Sequence, residues 1–211
     1  MVREGLLFVV SGPSGVGKGT VCGELVKRVD ISLSVSMTTR KPRPGEIDGR
    51  DYHFVSEELF LKTVSDGGFF EYAKVYDRYY GTPKDPVTAR LAAGEDVLLE
   101  IDTQGALKVK REWPGGIFIY ILPPSMRELR RRITDRGAET QAAIDLRLGE
   151  SLKEMARIDQ YDYCVINERA DETADRLAAI RTAERARVGR DIHEIIRTYK
   201  EELQCYTHPS I

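Results

Sequence analysis

This 211-residue chain has few histidines, few cysteines, no long apolar run and almost no net charge. Each shortage excludes something. Cys22, Cys164 and Cys205 lie far apart, odd in number and without ligand spacing, so they indicate neither a disulfide framework nor a zinc site. His53, His193 and His208 read as bystanders to any catalysis. No apolar stretch approaches the ~20 residues that span a bilayer. The apolar segment near the start is too short, and too quickly followed by glycine, to be a signal peptide, so a cytoplasmic protein with no membrane partner is expected. A formal net charge of −2 argues against a protein that coats nucleic acid, because backbone binding needs a broad excess of Lys and Arg.

What is present is a soluble composition, 41% hydrophobic and 31% charged, long enough for one core with inserted subregions. Leu6 to Val10 reads as a buried strand, followed by a glycine-rich turn and a helix from Lys18 to Arg28. From Ser36 to Thr82 the character changes to Thr, Arg, Pro, Gly and Tyr, with one helix near Glu57 to Val64. Alternation then resumes: a helix over Asp85 to Ala93, a strand over Val97 to Ile101 and a strand over Ile117 to Leu122. Ser125 with Glu128 has the form of a capping box opening a helix crowded with arginine. Thr140 to Arg157 reads as helix, Tyr163 to Ile166 as the last strand, and Glu172 to Gln204 as one charged helix. Strands alternating with helices imply a parallel sheet covered on both faces, with ligands at the carboxyl ends of the strands.

Gly12-Pro13-Ser14-Gly15-Val16-Gly17-Lys18 sits between a predicted strand and a predicted helix, which is the context of a phosphate-binding loop. Backbone N–H groups and the helix start face the anion, and Lys18 reaches the β and γ phosphates of a nucleoside triphosphate. The strict pattern has Ser or Thr after the lysine. Here Gly19 stands there and Thr20 follows, so the usual hydroxyl ligand for Mg²⁺ is missing. Glu100 and Asp102 close a strand, where an acid faces bound nucleotide or the water shell of the metal; capping the next helix is the alternative for Asp102.

Ser36-Met37-Thr38-Thr39-Arg40-Lys41-Pro42-Arg43-Pro44-Gly45-Glu46 and Gly49-Arg50-Asp51-Tyr52-His53-Phe54 resemble the guanylate kinases, a family of nucleoside monophosphate kinases. So do Phe70-Glu71-Tyr72-Ala73, Tyr79-Tyr80-Gly81-Thr82, Glu100-Ile101-Asp102-Thr103-Gln104-Gly105 and Pro123-Pro124-Ser125. The likeness runs from about Gly5 to Arg169. It implies an α/β fold, a three-layer phosphate-loop core of residues 1–35, 83–124 and 158–211. A mixed GMP-binding insertion occupies 36–82 and a helical lid 125–157. It implies transfer of the γ-phosphoryl group of ATP to GMP, and to dGMP, with Mg²⁺ held by phosphates and water and Glu100 or Asp102 as an outer-shell partner.

The acceptor-site residues that the resemblance implies make chemical sense one by one. Arg40 and Arg43 can clamp a dianionic phosphate, with the hydroxyls of Tyr52 and Tyr80 as uncharged donors. Guanine offers an acceptor O6 and two N–H donors, which suit the hydroxyls of Ser36 and Thr82 and the carboxylate of Glu71. AMP would meet Glu71 with an unprotonated N1. Glu100 and Asp102 complete the acceptor set.

On the donor side, the resemblance puts Arg132 and Arg136 beside the adenine or its phosphates and Arg147 near the transferred group. Arg127, Arg130 and Arg131 read as a solvated face. Asn167 is either an adenine contact or a loop amide capping local backbone. The attacking phosphate oxygen is already ionised at neutral pH, so no general base is required; Lys18, Arg40, Arg132, Arg136 and Arg147 supply the opposing charge. Two rival readings are a scaffold domain that has lost catalysis and a kinase for another small phosphate ester. Monomer and homodimer stay undistinguished.

Overall fold

A computed structural model describes residues 4–75, 77–135, 140–188 and 192–207. Its first strand, β1 (Leu7–Ser11), is buried on both faces, which explains its unbroken apolar run. Phe8 and Val10 point to a cluster with Val21, Cys22 and Leu25 of α1 (Lys18–Leu25) and Ala174 and Leu177 of α7 (Ala170–Arg185). Leu7 and Val9 point the other way, to Val87 and Leu91 of α3 (Lys84–Ala92) and to Ala106 and Val109 of α4 (Thr103–Glu112). One strand thus feeds two cores with a period of two.

The main sheet has the order β2-β7-β1-β8-β9, adding β2 (Ser32–Leu33), β7 (Val97–Glu100), β8 (Ile117–Leu122) and β9 (Tyr163–Ile166), and every pairing is parallel. Helices on both faces make three layers. The carboxyl ends of β1 and β7 both open onto the phosphate loop and the Glu100–Asp102 segment, as the sequence pattern requires.

A second sheet, β4-β3-β6-β5, joins β3 (Met37–Thr38), β4 (His53–Phe54), β5 (Phe69–Val75) and β6 (Arg78–Pro83), with a register shift between Phe69 and Glu71. Phe60 of α2 (Glu57–Ser65) is fully buried here, stacked on Phe69 at 4.5 Å and Tyr79 at 5.4 Å. Ser56 caps that helix through the Leu59 N–H at 3.2 Å.

Helices α5 (Met126–Thr134) and α6 (Gln141–Met155) pack on each other around Leu129, Ile133 and Ile144, a cluster separate from the two cores. Ser125 does cap α5, accepting from the Glu128 N–H at 3.1 Å. The Glu128 carboxylate instead binds Arg131 and Arg132, so half of the expected box is ionic. The single helix expected over Glu172 to Gln204 is corrected to α7 and α8 (Ile192–Thr207), because α7 stops at Ala186.

At the amino end of β7, Asp96 is 2% exposed. It accepts from the Leu6 N–H at 2.7 Å and from Arg181 at 2.7 Å, and it also binds Arg185. No helix of the described residues is long and apolar enough to cross a membrane.

Candidate active site

Residues 12–17 turn the chain from β1 into α1. Gly17 has φ 96° and occupies the N-cap position, where no side chain caps the helix. A side chain there would meet both a left-handed backbone and the Asn167 amide at 2.8 Å. The first N–H groups of α1 are therefore left for an anion. Val16 is buried and anchors the loop, its N–H bonded to the Pro13 carbonyl at 3.2 Å. Gly12 and Pro13 are buried, Gly15 is partly so, and Ser14, Gly19 and Thr20 are exposed.

The Lys18 ammonium donates to the Gly12 carbonyl at 2.5 Å and the Pro13 carbonyl at 3.3 Å. Burial lowers its pKa, opposed by the nearby charges of Glu100, Glu154 and Asp102. A Cβ built on Gly19 would lie 3.3 Å from Glu100 Oε1. At the position where the strict loop has a hydroxyl, this chain brings up a carboxylate from β7.

Beside the loop lies a cavity of about 290 Å³ lined by Gly15, Gly17, Thr20, Arg132, Asp135, Asn167, Glu168 and Ala170. Arg132 lies across its floor, donating to Glu128 at 2.8 Å and to the carbonyls of Val16 and Asn167, each at 3.1 Å. Asn167 is 4% exposed; its amide donates to the Val16 carbonyl at 2.8 Å and its oxygen accepts from Thr173 at 3.0 Å. The amide thus bonds backbone, but that of the phosphate loop 151 residues away and not the local backbone expected, and its side chain borders the cavity. Arg147 is exposed on α6 and is not part of this lining. Arg136 lies outside the described residues, and α5 ends at Thr134, two residues short of it.

A second cavity, of about 240 Å³, is lined by Ser36, Tyr52, Glu71, Ala73, Tyr80, Gly81, Glu100, Ile101 and Asp102. It lies between the two sheets. Glu71 of β5 accepts from the Thr82 hydroxyl at 2.8 Å, and burial raises the pKa of its carboxyl. Gly105 leaves room for that placement, since an added Cβ would stand 3.1 Å from Glu71 Oε2 and the carboxylate would have to give slightly. Asp102 caps α4 by accepting from the Gly105 N–H at 2.7 Å, yet it also faces this cavity, so both of its expected roles fit one position.

The two arginines expected to clamp a phosphate differ. Arg40 is half-buried, paired with Glu46 at 2.6 and 2.7 Å and set over the rings of Tyr52 and Phe54 at 5.0 and 5.5 Å. Arg43 is exposed three residues on. Sequence reasoning gave Glu46 no role, although its spacing from the arginines was visible. It also missed Glu154, half-buried on α6 with its carboxyl pKa raised by burial near Lys18 and Asp102. Seven residues separate it from Arg147, two turns along one helix face, which is the signal that could have found it.

Among the described residues, no group of three or more His, Cys, Asp and Glu could hold a metal ion. The carboxylate beside Gly19 fits an ion carried by phosphates and water, which needs acceptors for its water shell.

A lysine-bearing glycine loop between a parallel strand and a helix, with a second cavity lined by two tyrosines and three carboxylates, defines a phosphate-loop nucleotide kinase. Comparison with known proteins narrows the class. The guanylate kinase family profile matches residues 4–184. Guanylate kinase of Caldanaerobacter subterraneus subsp. tengcongensis is 52% identical over 202 residues, 95% of this chain and 98% of that protein. That of Clostridioides difficile is 50% identical, covering 96% of this chain and 99% of its own. The crystal structure of guanylate kinase from Anaplasma phagocytophilum superposes with a TM-score of 0.76 at 36% identity, over 93% of this chain and 96% of that one. The chain belongs to the guanylate kinase family.

Proposed function

We propose a division of labour among the named residues for the reaction of this enzyme, transfer of the γ-phosphoryl group of ATP to GMP to give ADP and GDP. The observation that carries it is the cavity in which Ser36, Tyr52, Glu71 and Tyr80 meet Glu100 and Asp102 beside the phosphate loop. Glu71 and Ser36 take the guanine edge, with Thr82 orienting the Glu71 carboxylate; Arg40, Arg43, Tyr52 and Tyr80 take the GMP phosphate. dGMP carries the same base and phosphate and is expected as a second acceptor.

Gly12 to Thr20 hold the phosphates of ATP, Lys18 neutralises the oxygens between donor and acceptor, and Arg132, Arg136 and Asn167 form the adenine side. Mg²⁺ would supply charge neutralisation at the β and γ phosphates, with Glu100 or Asp102 receiving its water shell. The attacking phosphate oxygen is an anion already, so these residues act by alignment and charge.

Water competes as acceptor, which calls for cationic groups that assemble only around both substrates. The separate apolar cluster of α5 and α6 supports motion of residues 125–157 as one piece, bringing Arg147 toward the transferred group. Residues 36–82 move likewise against the core of 1–35, 83–124 and 158–211. Net charge and composition support a cytoplasmic enzyme that binds neither nucleic acid nor membrane.

The test is ADP release with GMP, dGMP, AMP, UMP and dTMP as acceptors. GMP and dGMP should turn over far faster than the rest. Equal turnover of AMP would remove Glu71 from its assigned role.

A further inference from the structure

Arg40 has five N–H groups, and Glu46 and the Lys41 carbonyl take three of them. Nη1 donates to Glu46 Oε2 at 2.6 Å and to the Lys41 carbonyl at 3.0 Å, and Nη2 donates to Glu46 Oε1 at 2.7 Å. That bidentate pair occupies the end of the guanidinium fork. What it leaves is the lateral edge, Nε with the second Nη2 hydrogen, the other edge that can meet two oxygens at once. The Tyr80 hydroxyl lies within hydrogen-bonding reach of the same guanidinium, and the rings of Tyr52 and Phe54 fix its plane.

Glu46 also accepts from the Arg43 N–H at 2.7 Å, while its own N–H bonds the Arg43 carbonyl at 3.1 Å. One carboxylate thus closes the turn that carries Arg43 and orients Arg40. The loop between β3 and β4 has little regular structure to do this, and Arg40 needs its plane set before a phosphate arrives. Arg40 and the Arg43 N–H hold the Glu46 carboxyl down to about 2, so it stays ionised throughout the neutral range.

We propose that Glu46 is a positioning residue for the acceptor phosphate: it takes the end of the Arg40 fork and so presents the Nε–Nη2 edge, beside Tyr80, to the phosphate of GMP. This rests on the assignment of Arg40 to that phosphate. The sign of the effect separates positioning from simple charge. A carboxylate near a dianion repels it, so on charge alone its neutralisation would tighten GMP binding. Positioning requires the opposite.

The experiment measures steady-state kinetics of Glu46→Gln, Glu46→Asp, Arg40→Ala and the Arg40→Ala/Glu46→Gln double variant, together with inhibition by guanosine, which lacks the phosphate. Glu46→Gln should raise KM for GMP by roughly tenfold, the scale of one lost charge-assisted contact. KM for ATP and the inhibition constant of guanosine should not move. Glu46→Asp, which keeps the charge but draws it back by one methylene, should fall between wild type and Glu46→Gln. In the Arg40→Ala background Glu46→Gln should add nothing.

Unchanged or tighter GMP binding in Glu46→Gln, with Arg40→Ala weakened, would overturn the positioning role and leave the clamp intact. A parallel loss for GMP, guanosine and ATP would also overturn it, since that reports a collapsed loop. An Arg40→Ala variant with normal KM for GMP would instead overturn the clamp itself.

Discussion

The two cavities proposed to take the donor and the acceptor nucleotide are built from different materials. On the donor side the chain offers backbone: a glycine turn, the uncapped start of α1, and carbonyls held by Asn167 and Arg132. On the proposed acceptor side it offers side chains: Tyr52, Tyr80 and the half-buried Glu71 at the cavity, with Arg40 set over the Tyr52 ring. Backbone donors are fixed by the fold and suit any polyphosphate. Side chains can be chosen for one base and one phosphate, but each must be held in place by a further residue, as Glu46 holds Arg40 and Thr82 holds Glu71. Generality sits in the main chain and selectivity in the side chains.

The contrast breaks most directly at Lys18, a side chain on the backbone-built side. Lys18→Ala should lower kcat by about 10²–10³-fold, the scale of one lost electrostatic contact to the transition state, in an assay of ADP release. Retention of near-normal kcat would mean that the loop's N–H groups suffice. Next in size is Glu71→Ala, which should cost GMP about 10²-fold in kcat/KM while leaving KM for ATP unchanged, because buried donors on the base lose their acceptor. An equal loss for both substrates would show that the two sites are not separable.

A smaller effect concerns stability. Burial raises the Glu71 carboxyl above its unfolded value, so its ionisation opposes folding. The associated stability is present below the unfolded pKa and is lost as pH rises through the folded one. Glu71→Gln does not titrate. It should therefore melt above the wild type at neutral pH, with the difference vanishing below about pH 4; a constant gap across that range would show that the carboxylate carries no such cost. The smallest expected change is Gly105→Ala. Its Cβ must displace the Glu71 carboxylate by a few tenths of an ångström, so KM for GMP should rise by only about threefold, with thermal stability near that of the wild type. No change in KM would mean that Glu71 can shift without penalty.

The same contrast explains what could be read in advance. The phosphate loop was legible because glycines and a lysine between a strand and a helix have a backbone meaning that one sequence carries. The acceptor residues were legible only together, through their family order, since Glu71 or Tyr80 alone looks like ordinary strand composition. Glu46 and Glu154 escaped because their importance lies in what they touch. The only signals were spacings, of Glu46 from the arginines of its loop and of Glu154 from Arg147, and a spacing does not say that side chains meet; the Lys18 and Asp102 that Glu154 approaches are remote in sequence. The break between α7 and α8 had a signal in Gly189, a residue that commonly ends helices, but the charged residues on either side of it read as one helix. Of the Asp102 alternatives the cap is observed, and it uses one oxygen of a residue that also lines the cavity.

Asp96 lies at the opposite rim of the main sheet, where it gathers the Leu6 N–H and two arginines of α7 around one buried carboxylate. Like the rivet of a folding fan, it pins the blades where they converge and leaves their tips to spread. Damage to the rivet would show first as an unravelling enzyme, damage at the tips as a well-folded one that has lost its grip.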